Sequence, residues 1–272
     1  MIAAALTTPF DRDENVDLGG VRALVEHVID GGIPAVFVAG TNGEFPALDD
    51  GERLEVISAA LEVAGPSRVI AHVGAATTRQ AVRLTAEARR RGAERLAVIT
   101  PYFVPAGPER LVEHFERCAV AADGADVYVY VFTALAGTVV PPSLLSKLAT
   151  IEGIVGVKVS GAGTDVVRAY AEATPPDFEV WSGNDAELRD VMLAGGTGIV
   201  SGNAGALPTL FAELLTGSSA QPTVQAAVQT VEGSIANIKH LLDLQNLPGG
   251  RCRMAIDPPG TERRAALARL LT

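Results

Sequence analysis

The chain has 272 residues, of which 48% are hydrophobic, and a formal net charge of −10 at neutral pH; that is enough apolar mass for one large core, and the acidity argues against a nucleic-acid partner. Its two cysteines, Cys118 and Cys252, lie far apart with no CxxC or Cys/His spacing, so a disulfide scaffold and a metal site are disfavoured and a reducing, cytoplasmic setting is expected. No apolar stretch reaches spanning length without charges or Gly/Pro breaks, so no membrane partner is expected, and the short apolar opening runs straight into Thr7-Thr8-Pro9-Phe10, as a first strand does and a signal peptide does not.

Apolar, β-branched runs recur at 2–6, 35–39, 69–73, 96–100, 127–132, 154–159, 178–182 and 198–201, and each is followed by a segment of helical period. The stretch 18–29 puts Leu18, Val21, Leu24, Val25, Val28 and Ile29 on one face, which predicts an amphipathic helix. Thr77-Thr78-Arg79-Gln80 has the pattern of a capping box, and Pro108 suits the first turn of the next helix. Eight alternating units in about 215 residues predict a closed (β/α)8 TIM barrel of the α/β class, with an open doubly wound sheet as the runner-up. Against the open sheet, no GxGxxG or Walker-type loop follows the first strand. After residue 218 the strand beat stops, and 224–244 and 261–271 read as helical around Pro248-Gly249-Gly250. The expected organisation is a barrel domain over 1–218 and a C-terminal helical extension over 219–272.

One lysine carries the chemistry of this pattern. Lys158 sits in the run Gly153-Ile154-Val155-Gly156-Val157-Lys158-Val159-Ser160, a strand that reads as buried on both faces. Burial of an ammonium favours the neutral amine, which is the form a Schiff-base nucleophile needs. Snorkelling of the side chain along its methylene stem is the competing reading at a strand end. In a barrel the strands' carboxyl ends carry the active site, and Lys158 lies at such an end, as does Tyr130 one strand earlier. The clusters Gly40-Thr41-Asn42-Gly43-Glu44-Phe45 and Ser182-Gly183-Asn184-Asp185 follow strands two and seven. Singly, each has a bland reading as a packed tyrosine or a turn. Together they supply an amine, a proton carrier and hydrogen-bond donors, the set that imine chemistry on a carboxylate-bearing ketone requires. His27, His72, His114 and His240 have no partnering motif and read as structural, and Arg251-Cys252-Arg253 after a glycine turn reads as surface.

These residues resemble the pyruvate-dependent class I aldolases, the family of dihydrodipicolinate synthase and N-acetylneuraminate lyase, over nearly the whole chain. Leu6-Thr7-Thr8-Pro9-Phe10 is similar to that family's opening strand, Gly40-Thr41-Asn42-Gly43-Glu44 to its carboxylate loop, and Val157-Lys158-Val159-Ser160 to its Schiff-base strand. Pro101-Tyr102-Phe103, Ser182-Gly183-Asn184-Asp185 and the run 195–201 match further signatures. The resemblance implies that Lys158 forms an imine with C2 of a 2-oxo acid and that Tyr130 matches the family's proton-shuttling tyrosine, Phe132 being a rival only if two residues are deleted. It implies that Thr41 and Asn42 hold the carboxylate and that Gly183, Asn184 and the backbone around Val200 line the pocket beyond it. It calls for no metal and no cofactor, and for a homo-oligomer, a dimer or tetramer.

Three departures bear on the reaction. The tyrosine motif reads Tyr130-Val131-Phe132-Thr133 without its Asn and Pro, Leu135 stands where the synthases carry an arginine, and Phe103 stands where they carry a second relay tyrosine. Synthesis in the lysine pathway is therefore disfavoured, and Asn42 looks more like the 2-oxo-acid aldolase branch. The leading expectation is a lyase that reversibly cleaves a 2-oxo acid, such as a 2-keto-3-deoxy sugar acid or 4-hydroxy-2-oxoglutarate, to pyruvate. The alternatives are synthase-like condensation or dehydration of a pyruvate imine, and a 2-oxo-acid-binding protein with little catalysis.

Overall fold

The computed structural model of the protein describes residues 1–217 and 220–272. Eight parallel strands follow one another in chain order and close into a barrel: β1 (Ile2–Ala5), β2 (Ala35–Val38), β3 (Val69–His72), β4 (Arg95–Ile99), β5 (Asp126–Val131), β6 (Ile154–Val159), β7 (Glu179–Ser182) and β8 (Gly198–Ser201). Residues Ala35–Val38, Val69–His72 and Gly198–Ser201 are buried throughout. A strand covered on both faces can afford no polar alternation, which is why the sequence showed continuous apolar runs.

Helices alternate with the strands: α1 (Leu18–Asp30), α2 (Asp50–Ala64), α3 (Thr78–Arg90) and α4 (Pro108–Ala122), then α5 (Thr133–Ala136), α6 (Pro142–Leu148), α7 (Thr164–Ala173), α8 (Leu188–Leu193) and α9 (Pro208–Thr216). The expected starts hold. Thr77 caps α3 by accepting from the Gln80 N–H at 3.3 Å, and Pro108 occupies the first turn of α4. A complete capping box stands at Asp49 and Glu52, where each side chain accepts from the other's backbone N–H, at 2.8 and 2.9 Å. One element is unexpected: α5 is a single turn inserted after β5, ended by Gly137 at φ 72°.

The C-terminal extension comprises α10 (Gln221–Val231), α11 (Ile235–Leu244) and α12 (Thr261–Ala268). The stretch 224–244 is helical as expected and is divided into two helices. Glu232 and Gly233, at φ 55° and 65°, leave the right-handed region, and Ser234 starts α11 by accepting from the Asn237 N–H at 3.4 Å. The expected domain boundary at 218/219 falls on residues outside the described set.

Two compact units are distinguishable, one of Met1 with Ile70–Val200, the other of Ile2–Val69 with Ser201–Thr272. In the first, β5 and β6 pair with Val129 opposite Val157 and Tyr130 opposite Lys158, after an irregularity between Val127 and Tyr128. In the second, β1 and β2 pair with Ala3 opposite Ala35 and Ala5 opposite Phe37.

Candidate active site

In the first unit, strand register sets the lysine's company. Tyr130 on β5 and Trp181 on β7 flank Lys158 on either side, and Ile99 on β4 flanks Tyr130. The Lys158 residue is only 8% exposed, which excludes the snorkelling alternative. Its Nζ lies 4.0 Å from the centroid of the Tyr130 ring and donates to Ser160 Oγ. The amine nitrogen therefore packs on the face of the Tyr130 ring.

The surroundings of this pair are fixed by backbone. Ser160 N–H donates to the Val131 carbonyl at 2.9 Å, and Gly183 N–H to the Val159 carbonyl at 2.7 Å. Gly183 packs so closely that a Cβ there would overlap Ser160 Oγ. Ser182 is buried, and its Oγ accepts from the Asn184 N–H at 3.1 Å, while Gly183 and Asn184 are themselves half-buried. Val200 is buried in β8.

His72, read as structural, is buried, and its ring meets Tyr130 edge-to-face, with centroids 5.7 Å apart and planes at 85°. It ends the third strand, so the strand count carried that signal. Phe132 lies past the end of β5 with its ring 6.4 Å from that of Tyr130. Ser160 was visible only as the last letter of a motif. Two of the departures from the family pattern, Phe103 and Leu135, are exposed: Phe103 at 93% with φ 74°, and Leu135 at 61%. A phenylalanine in the left-handed region is sterically strained. The loops bearing them are tied by Thr138, whose Oγ donates to the Pro101 carbonyl at 2.9 Å and accepts from the Ala106 N–H at 3.1 Å.

In the second unit, the segment after β2 is a tight loop bounded by two left-handed residues that are not glycine, Ala39 at φ 53° and Glu44 at φ 55°. Its ends are joined by Glu44 N–H to the Thr41 carbonyl at 3.0 Å and Phe45 N–H to the Gly40 carbonyl at 3.2 Å. Thr8, buried in the segment after β1, donates from Oγ1 to the Gly43 carbonyl at 2.7 Å. Thr41 and Asn42 are half-buried while Gly43, Glu44 and Phe45 are buried. Asn42 packs against Gly202, where a Cβ would overlap its Nδ2. The hydroxyl of Thr41 and the amide of Asn42 thus stand on a loop whose ends are joined by its own backbone hydrogen bonds.

The glycine turn before Arg251 is also different from its surface reading. Arg253 forks onto Glu52 at 2.7 and 2.8 Å and donates to the Ala47 carbonyl at 2.9 Å, so it is built into the fold. Cys252 is half-buried and its thiol is pushed up to about 11 by burial. Cys118 is buried and pushed up to about 12 by the same cause.

A closed parallel barrel with an amine buried at one strand's carboxyl end defines a (β/α)8 enzyme. Its lineage is specific: the chain matches the model of the dihydrodipicolinate synthetase family over residues 1–272 and belongs to that family, as a lyase of the aldolase type. It is 33% identical over 245 residues to the 4-hydroxy-tetrahydrodipicolinate synthase of Methylococcus capsulatus, covering 90% of this chain and 83% of that protein. Dihydrodipicolinate synthase from Bacillus anthracis superposes with a TM-score of 0.93 at 25% identity, over 100% of this chain and 97% of that one. A prophage protein of the same family from E. coli K12, YagE, solved in complex with pyruvate, superposes with a TM-score of 0.92 at 26% identity, over 99% of this chain and 96% of that one. Among the described residues no helix is long and apolar enough to cross a membrane.

Proposed function

We propose that the protein is a cytoplasmic Schiff-base aldolase, a dimer or tetramer, that cleaves a 2-oxo acid bearing a C4 hydroxyl, with Lys158 as nucleophile. The observation that carries this reading is the amine of Lys158, buried at the carboxyl end of β6 between Ser160 Oγ and the face of Tyr130. The pyruvate complex of YagE supports a pyruvyl moiety as the common part of the substrate.

Lys158 attacks the C2 carbonyl, and loss of water from the carbinolamine leaves a protonated imine. Thr41, Asn42 and the N–H groups of their loop hold the carboxylate. Tyr130 carries the proton during carbinolamine collapse and then takes the C4 hydroxyl proton. As the C3–C4 bond breaks, its electron pair flows into the imine, the aldehyde leaves, and the resulting enamine is protonated at C3. Hydrolysis of the imine returns pyruvate and the amine. Gly183, Asn184 and the backbone around Val200 border the part of the substrate beyond C3. Condensation or dehydration of the same imine is the second reading, supported by the 33% identical synthase. Leu135 and Phe103 weigh against it, since neither side chain can bind a carboxylate or relay a proton.

Borohydride reduction with pyruvate, read by mass at Lys158, tests the proposal. A stable adduct is expected in the native protein and none in Lys158→Ala, while exposed Lys147→Ala leaves it unchanged. No adduct at any pyruvate concentration sinks every imine reading and leaves a binding protein. An adduct with turnover intact in Tyr130→Phe removes the tyrosine from its role, and a thermal-shift screen of 2-oxo acids ranks the substrates.

A further inference from the structure

The second buried lysine has no part in this chemistry. Lys239 on α11 is 0% exposed, and its Nζ lies 2.7 Å from Oε1 of Glu44, which is also 0% exposed. Burying two charges is costly unless geometry and further hydrogen bonds compensate. Here they do. Lys239 Nζ also donates to the Arg251 carbonyl at 2.7 Å and sits 4.4 Å from the centroid of the Phe10 ring, and Glu44 Oε2 accepts from the Met254 N–H at 2.7 Å. Burial pushes the Lys239 ammonium below the ordinary lysine value, and the Glu44 carboxylate partly offsets that push.

Glu44 is also the residue that closes the carboxylate loop. It stands in the left-handed region at φ 55°, a conformation unfavourable for a residue with a side chain, which persists where surroundings over-determine it. Its N–H holds the Thr41 carbonyl, and its neighbour Gly43 is held by Thr8 Oγ1. The segment that receives the other end of the pair is equally fixed. Gly249 lies against the Lys239 carbonyl so closely that a Cβ would overlap it, and Arg253 forks onto Glu52 while its guanidinium lies 4.4 Å from the Phe10 ring. Thr41 and Asn42 therefore hang between Thr8 on one side and a charge clamp supplied by α11 and the 249–254 segment on the other.

We infer that Lys239 is a positioning residue: through Glu44 it holds the Thr41–Asn42 loop in its carboxylate-binding form, so the C-terminal helical extension is a working part of substrate binding. This rests on the Schiff-base reading above, and the test separates the two. The concentration of pyruvate that gives half-maximal borohydride trapping at Lys158 is measured in the full chain for the native protein, Lys239→Met and Glu44→Gln. Each variant is expected to need about tenfold more pyruvate, with trapping at saturation intact and amide exchange at 41–44 faster. A lowered melting temperature with the half-trapping concentration within about twofold of native overturns the inference, because that is a structural role alone. The double variant Glu44→Gln/Lys239→Met leaves no lone buried ion and serves if either single variant does not fold; it is held to the same threshold. Should the native protein trap no pyruvate, the Schiff-base reading fails, and unchanged exchange at 41–44 in Lys239→Met overturns the positioning role on its own.

Discussion

Two of the three lysines are buried, and their neighbours decide what each can do. Both amines lie over an aromatic ring, but Lys239 also meets a carboxylate and a carbonyl, and Lys158 donates to the Ser160 hydroxyl. A rule that seeks a lysine in an apolar run finds Lys158 and misses Lys239, which lies on a helix whose burial depends on a partner 195 positions away. His114 gives a residue-scale expectation. It is buried, its Nδ1 pairs with Thr78 Oγ1 at 3.0 Å, and burial, with a smaller push from Arg117, lowers it to about 4. The native imidazole stays neutral while the unfolded one takes up a proton below about 6.5, so its share of stability is present above that pH and is lost as the pH falls toward 4, by about 3 kcal/mol. Urea denaturation at pH 7 and pH 4.5 should show a smaller acid loss in His114→Asn than in the native protein. An equal loss in both would refute the assignment.

At the scale of elements, local signals were legible where local chemistry decides. Thr77 and Pro108 begin helices because a cap and a fixed φ satisfy the first turn whatever lies beyond it. The break at Glu232-Gly233 was also written locally, but the apolar period on either side masked it. The single turn 133–136 is too short to carry a period at all. Gly183 belongs to this scale, because it joins the end of β7 to the end of β6 without room for a side chain. Gly183→Ala should push Ser160 Oγ off the Lys158 amine and lower kcat/KM by about a hundredfold, while the fold survives. Steady-state turnover beside a thermal melt checks this, and native kcat/KM in the variant would show that the Ser160 contact is dispensable.

For the whole molecule, closure of the barrel adds a constraint that no single strand carries. Ile199 N–H donates to the Met1 carbonyl at 3.0 Å, the Met1 amino group donates to the Thr197 carbonyl at 2.9 Å, and a Cβ on Gly198 would overlap the Met1 carbonyl. Gly198→Ala should cost about 1–3 kcal/mol through overpacking and lower the melting temperature by about 2–4 °C per kcal/mol. Calorimetry would show it, and an unchanged transition would mean that the seam relaxes freely. The eight-strand order was legible because strands buried on both faces must be apolar and parallel strands must be separated by a helix. The amine, the tyrosine and the loop after β2 were legible as residue types at strand ends. What only the tertiary structure decided is their company: Ser160 on the amine, His72 on the tyrosine, and Lys239 holding Glu44 from the far end of the chain. Periodicity and turn chemistry act over a few residues and so are written locally, whereas the pairing of buried polar groups depends on where distant segments meet.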